Sequence, residues 1–283
     1  MQPTITFVLG TRPEIIKLAP VIRECERRGL PFSLVHTGQH YSEQLDDVFF
    51  EQLRLPVPDR NLAIGSGRHG EQTGKMLADI ESELLDTNPD VVLVQGDTNS
   101  VLAGGLAGVK LDEVAVGHVE AGLRSYNREM PEEINRRLVD HASDYLFAPT
   151  ADARENLLEE SIADDSITVT GNTIVDAVTE NVDIAREQSD VLSTLDLSDR
   201  FALLTAHRAE NVDDADRFQA LLDGVHAAAT DHDLPVVYPI HPRAADRLDA
   251  FEVVVPSSVQ VVDPLDFLDF LVLQDVATVV LTD

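Results

Sequence analysis

The sequence predicts an α/β protein built from two parallel-sheet domains, and three observations carry that reading. Short β-branched runs alternate with segments of helical period, which is the pattern of βαβ units. The runs form two sets, separated by a polar, strand-free stretch over residues 186–200. Residues able to do chemistry stand directly after the runs, where open parallel sheets bind their ligands.

In the first set, residues 5–9 form a strand that Gly10 ends. A helix follows, with Ile15, Ile16, Leu18, Ala19 and Ile22 on its apolar side. Residues 32–35 are the next strand, and 91–94, 114–116, 145–148 and 167–170 repeat the pattern. Helices are expected around 71–86, 99–109 and 131–143. Thr170-Gly171-Asn172-Thr173 marks a hinge, and the helix after it places Ile174, Val178 and Val182 at i, i+4 and i+8. In the second set, 201–205, 236–240, 259–262 and 278–281 are strands, with helices near 213–231 and 265–274. The domains therefore span 1–172 and 173–283.

Composition bounds the function. The chain has 283 residues, 43% of them hydrophobic, enough to build cores without disulfide or metal staples. Cys25 is the only cysteine and falls in an apolar-periodic stretch, so it is read as a core residue. Acidic residues number 51 against 21 basic ones, a formal charge of −30, which argues against nucleic acid or anionic membrane as a partner. The acids are spread along the chain and do not form one tail, as on the solvated surfaces of proteins from salt-loving organisms, where salt screens self-repulsion. No apolar run reaches about 18 residues, so no membrane span is expected. The start of the chain lacks the basic and apolar regions of a signal peptide, and a cytoplasmic protein is expected.

Gly10-Thr11-Arg12-Pro13-Glu14 follows the first strand. It is either an ordinary βα turn or a phosphate site, formed by free N–H groups at a helix start with Arg12 beside them and Lys17 one turn on. Gln95-Gly96-Asp97-Thr98 follows another strand, and Asp97 is either a helix N-cap or a partnered working carboxylate. Glu120 stands at a third strand end, in Gly117-His118-Val119-Glu120-Ala121-Gly122. Pro131 opens a helix whose first turn holds Glu132 and Glu133, acids that either complement the helix dipole or join the site. Clustered carboxylates push one another's pKa values apart, and so supply both an acid and a base. No metal-ligand spacing accompanies them. In the second half, His207 and His241 each end a strand.

These segments, taken in order, resemble the non-hydrolysing UDP-N-acetylglucosamine 2-epimerases. The resemblance rests on Gly10 through Glu14 with Lys17, Thr37-Gly38-Gln39-His40, Gln95 through Thr98 and His118-Val119-Glu120-Ala121-Gly122-Leu123-Arg124. It continues through Pro131-Glu132-Glu133 with Asn135-Arg136, Thr170 through Thr173, and Thr205-Ala206-His207-Arg208 with Glu210-Asn211. It implies two Rossmann-like domains of GT-B type with the substrate in the interdomain cleft. It implies interconversion of UDP-GlcNAc and UDP-ManNAc through elimination of UDP, a 2-acetamidoglucal intermediate and re-addition, with no redox cofactor or metal. By resemblance Asp97, Glu120, Glu132 and His207 are catalytic, while Arg12, Lys17, Arg136, Arg208 and Phe270 bind substrate. Leu265 stands where some members have a polar contact. Gln39, His40, Gln72 and His241 resemble parts of a second, regulatory substrate site of bacterial members. The family suggests a homodimer and a role in cell-surface polysaccharide synthesis.

Family members continue past Leu281-Thr282-Asp283 with a Ser-Gly-Gly turn and a helix bearing glutamates. On this reading the second domain is incomplete, its last strand is uncovered on one face, and the epimerase activity of the chain is impaired. The alternatives are a hydrolysing 2-epimerase that releases UDP and ManNAc, a GT-B glycosyltransferase, and an inactive truncated binding protein. Diacetamido-uronate epimerases carry the same motifs, so the sugar stays open.

Overall fold

The computed structural model describes residues 2–39, 49–197 and 200–283. The chain divides into two compact units, Met1–Glu180 and Asn181–Asp283. That division falls within the helix Thr173–Gln188, whereas the sequence places the hinge at the start of this helix.

The first unit is built on a seven-stranded parallel sheet: β1 Ile5–Leu9, β2 Phe32–His36, β3 Arg60–Asn61, β4 Val91–Gln95, β5 Ala115–Val119, β6 Tyr145–Ala148 and β7 Ile167–Val169. Their order is β3-β2-β1-β4-β5-β6-β7. Connection direction reverses between β1 and β4, which is the topological switch point of such sheets. Phe7, Val8 and Leu9 in β1 are fully buried, because helices cover both faces of a parallel sheet. The helix Asn99–Gly108 lies against β1 and β4 so closely that a Cβ on Gly104 would come within 2.9 Å of Val94 and 3.0 Å of Val8.

Several elements differ from the sequence reading. β5 runs on to Val119. Gly117 looks like a strand end, yet β4 and β6 pair with it from both sides and carry the strand through it. The helices Ala151–Glu159 and Pro242–Ala250 are additional. Ala153 and Leu157 are the buried residues of the first, and Ala244 of the second, too little apolar surface to register as periodicity. In the helix Thr173–Gln188 the buried face is Ala177, Asn181, Ile184 and Ala185, while Val178 is 39% exposed. Periodicity cannot choose between two stripes of one helix, and here the stripe with the small alanines packs.

The second unit holds a four-stranded parallel sheet: β8 Ala202–Thr205, β9 Val236–Pro239, β10 Val259–Val262 and β11 Val279–Thr282, in the order β10-β9-β8-β11. Its core gathers Phe218, Leu222, Val236 and Tyr238 under the helix Ala215–Asp231. The fully buried Tyr238 hydroxyl donates to the carbonyl of Ala206 at 2.5 Å, which ties the end of β8 to β9. On the edge strand β11, Val279 and Val280 are 41% and 39% exposed. Among the described residues no helix is long and apolar enough to cross a membrane.

Candidate active site

The turn after β1 is closed by its own glutamate. Glu14 accepts the backbone N–H of Gly10 at 2.5 Å and of Thr11 at 3.3 Å, and the Thr98 hydroxyl donates to its other oxygen at 2.5 Å. The N–H groups expected to be free for phosphate are therefore turned toward Glu14, and what this turn leaves open is the exposed Arg12, whose guanidinium lies over the Phe49 ring. Burial pushes the Glu14 carboxyl up to about 7, against the lowering effect of its bonds from Thr98, Gly10 and Thr11. Gly10 is needed for space: a Cβ there would stand 1.9 Å from Thr37 Oγ1 and 2.3 Å from Ser100 Oγ.

β4 and β5 are neighbours in parallel register, with Gln95 opposite Val119. Asp97 and Glu120 therefore leave the same edge of the sheet side by side. Asp97 is not the N-cap of the following helix. Thr98 is, its side chain accepting the N–H of Val101. Asp97 instead pairs with Arg136 from the helix Pro131–Ala142. Glu120 sits at φ +71°, a left-handed conformation that costs a non-glycine residue about 1–3 kcal/mol and clusters at functional sites. One of its oxygens is held by Lys17 Nζ at 2.6 Å and by Gln95 Nε2 at 3.0 Å. Both acids are thus held opposite a cation at the strand ends, which offsets the cost of keeping a carboxylate partly out of water there.

The helix start at Pro131 serves two purposes. Glu133 is buried and accepts the Ser125 N–H at 2.8 Å and Arg136 Nη1 at 3.3 Å. Burial raises its carboxyl, but Ser125 and Arg136 more than reverse this and hold it below the usual carboxylate range. Glu133 is thus a structural anchor. Glu132 instead lines a cavity of about 300 Å³ together with Gln39, His69, Gln72 and Asn99. Gln39 and Gln72, read from sequence as parts of a separate regulatory site, share this cavity with Glu132. Buried amides join it to the Asp97 loop: Asn99 donates to Gln72 at 2.9 Å, and Asn135 donates to Asn99 at 3.3 Å and to the Asp97 carbonyl at 3.0 Å. His40 lies outside the described residues.

In the second unit a pocket of about 320 Å³ is lined by Thr205, His207, His241, Pro264, Leu265 and Phe270, among others. The two histidine rings lie 5.4 Å apart, tilted by 32°. Asp283, which the sequence reading did not single out, follows β11 and accepts the backbone N–H groups of His207 at 3.0 Å and Arg208 at 2.8 Å, and the Asn211 amide at 3.2 Å. Burial raises its carboxyl, but the donors from Arg208, Asn211 and His207 outweigh this and hold it low. The loop after β8 is thereby oriented by its backbone, and the side chain of Arg208 is left exposed.

Two carboxylates, each held by a cation, leave the ends of β4 and β5 beside the switch point, and comparison with known proteins shows the family. The profile of the UDP-N-acetylglucosamine 2-epimerases matches residues 23–283. The chain belongs to the UDP-N-acetylglucosamine 2-epimerase family. It is 49% identical to the UDP-N-acetylglucosamine 2-epimerase of Methanocaldococcus jannaschii over 99% of this chain and 78% of that one. A solved structure of the M. jannaschii UDP-GlcNAc 2-epimerase superposes with a TM-score of 0.91 at 47% identity, again over 99% and 78%. Another, of the same epimerase in complex with UDP-GlcNAc and UDP, gives a TM-score of 0.80 at 49% identity over the same shares. The fold is thus that of the UDP-N-acetylglucosamine 2-epimerases, and the chain's class is isomerase.

Proposed function

We propose that this chain interconverts UDP-GlcNAc and UDP-ManNAc by elimination and re-addition of UDP. The observation that carries the reading is Glu120, at φ +71° with Lys17 at 2.6 Å, beside the Arg136–Asp97 pair at the next strand end. C2–H is weakly acidic, so its removal needs a fixed base and stabilisation of the leaving group. One carboxylate among Asp97, Glu120 and Glu132 takes the C2 proton. The C2–H electrons form the C1=C2 bond as C1–O breaks and UDP leaves with that pair. A protonated carboxyl of the same set then delivers a proton to the opposite face of C2, and UDP adds back at C1. His207 and Arg208 stabilise the departing diphosphate, Phe270 packs on the uracil, and Arg12, Lys17 and Arg136 hold charged groups of the substrate.

The regulatory reading of Gln39, His40, Gln72 and His241 rests on the resemblance: Gln39 and Gln72 line the cavity with Glu132, while His241 lines the pocket of the second unit. The charge of −30 supports a protein adapted to high salt, and the family resemblance suggests that it works in the cytoplasm, as a homodimer, on sugars bound for cell-surface polysaccharide. A melting temperature that climbs with added KCl is expected, and one that falls would contradict the salt adaptation.

The test mixes the purified protein with UDP-GlcNAc and follows it by NMR. UDP-ManNAc is expected to accumulate to an equilibrium with UDP-GlcNAc. Free ManNAc plus UDP would show the hydrolysing reaction instead. Turnover of a UDP-diacetamido-uronate with none of UDP-GlcNAc would move the assignment to that sugar.

A further inference from the structure

One buried carboxylate, outside the set assigned to the reaction, touches every segment that carries that set. Asp140 lies on the helix Pro131–Ala142, is 1% exposed, and has no route to substrate through solvent. Its Oδ1 accepts His118 Nδ1–H at 2.7 Å. Its Oδ2 accepts Arg124 Nη1 at 2.7 Å and the backbone N–H of Gly122 at 3.2 Å. The other nitrogen of His118, Nε2, donates to the carbonyl of Gly96 at 2.8 Å.

These contacts reach the three acids from below. Gly96 is bonded directly to Asp97, and its carbonyl orientation sets the peptide that aims Asp97. Gly122 stands two residues after Glu120, and its N–H pins the left-handed turn that Glu120 begins at φ +71°. Glu132 shares the helix of Asp140, two turns toward its N-terminus. A hydrogen-bonded path therefore runs from the Asp97 loop, through His118 and Asp140, to the Glu120 turn and the Glu132 helix.

The donor and acceptor inventory fixes the protons. A carbonyl only accepts, so His118 Nε2 carries hydrogen. Asp140 already accepts from a guanidinium and an amide, as an ionised carboxylate does, so His118 Nδ1 carries hydrogen too. Charge is offset inside the cluster: Arg124, fully buried, also donates to Glu160 at 2.7 and 2.9 Å, and Arg137 joins Glu160 from the surface side. His141, half exposed, is 3.5 Å from Glu160 at the outer rim. Buried charges removed from water persist only when each is paired and hydrogen-bonded, and here each is.

We propose that Asp140, acting through a doubly protonated His118, is the positioning residue that holds Asp97, Glu120 and Glu132 in one reactive geometry. The proposal rests on the epimerase reading above, since it concerns the acids that reading uses. Asp140→Asn is the informative change: it keeps shape and the contact to Arg124, and its amide donates to His118 Nδ1, turning the ring into the neutral Nε2–H form.

The experiment pairs kinetics with side-chain 15N NMR on the purified protein. In the wild type both His118 nitrogens are expected at protonated shifts, with His141 as internal comparison, and in D140N only Nε2 keeps its proton. D140N is expected to lower kcat about a hundredfold, the size of a misplaced catalytic group, with KM changed less than about threefold. The amide resonances of Gly96, Asp97, Glu120 and Gly122 are expected to shift together. His118→Gln gives a second variant, with the same kcat loss expected, should D140N fold poorly. Wild-type kcat in either folded variant would overturn the proposal, as would a loss confined to KM or a His118 Nδ1 without a proton in the wild type. If the wild type turns over no UDP-N-acetylhexosamine, the epimerase reading falls separately, and unmoved Asp97 and Glu120 resonances in D140N would then overturn the positioning role.

Discussion

The two sheets present contrasting edges. At the carboxyl edge of the first, acids are partnered: Glu120 with Lys17, Asp97 with Arg136, Glu14 with two N–H groups and a hydroxyl. At the same edge of the second, the pocket is lined by two histidine rings, prolines, Leu265 and Phe270, and Asp283, at the end of β11, is turned to backbone. On the proposed function, the first edge moves protons, the second grips a flat ring and an anion, and the labour is divided by sheet.

The largest break in this contrast is expected at Glu120. Glu120→Gln keeps the shape but removes one carboxylate of the proposed acid–base set, and kcat is expected to fall by about a thousandfold or more while UDP affinity holds. Steady-state kinetics with a UDP-binding titration checks it, and a variant that lost UDP affinity but not kcat would reverse the assignment of the two edges.

Glu14 gives the next effect, on stability. Its carboxyl binds a proton more tightly folded, at about 7, than at its ordinary 4.5. The protonated form therefore favours the fold: the contribution is full below pH 4.5 and is lost as pH rises through 7. The whole effect is on the order of 3 kcal/mol, taken from the size of the shift. Urea unfolding at stepped pH is expected to show stability declining across this window in the wild type. In Glu14→Gln, which keeps an acceptor oxygen for the Gly10 and Thr11 N–H groups but cannot titrate, that slope is expected to vanish. An unchanged slope would place the titration elsewhere.

The smallest effect belongs to the second edge. Phe270→Ala is expected to weaken UDP binding about tenfold, the value of one lost aromatic contact, with kcat near wild type at saturation. Calorimetry reads the first and saturating assays the second, and a kcat collapse with normal affinity would contradict the grip assigned to this pocket.

How much of this was legible in sequence follows from the range of each interaction. The strands β1, β6 and β10 stand where their β-branched and aromatic runs put them, because a buried parallel strand needs little beyond such a run. The polar helices Ala151–Glu159 and Pro242–Ala250 were silent, since one or two buried residues leave no period. Asp97, Glu120 and His207 could be singled out from their places after strands. Their partners could not: Lys17 is 103 residues from Glu120 and Thr98 is 84 from Glu14. Nothing in the sequence singles out Asp140, and only the fold brings His118, Gly122 and Arg124 around it.

The assignment of acid–base work to the first edge is tested most directly in D2O. UDP-GlcNAc incubated with the purified protein is followed at C2 by NMR. The original C2 proton is expected to disappear as UDP-ManNAc forms, with deuterium at C2 of the product, and both changes are expected to stop in Glu120→Gln. Epimerisation that retains the original C2 proton, or that proceeds undiminished in Glu120→Gln, would contradict it.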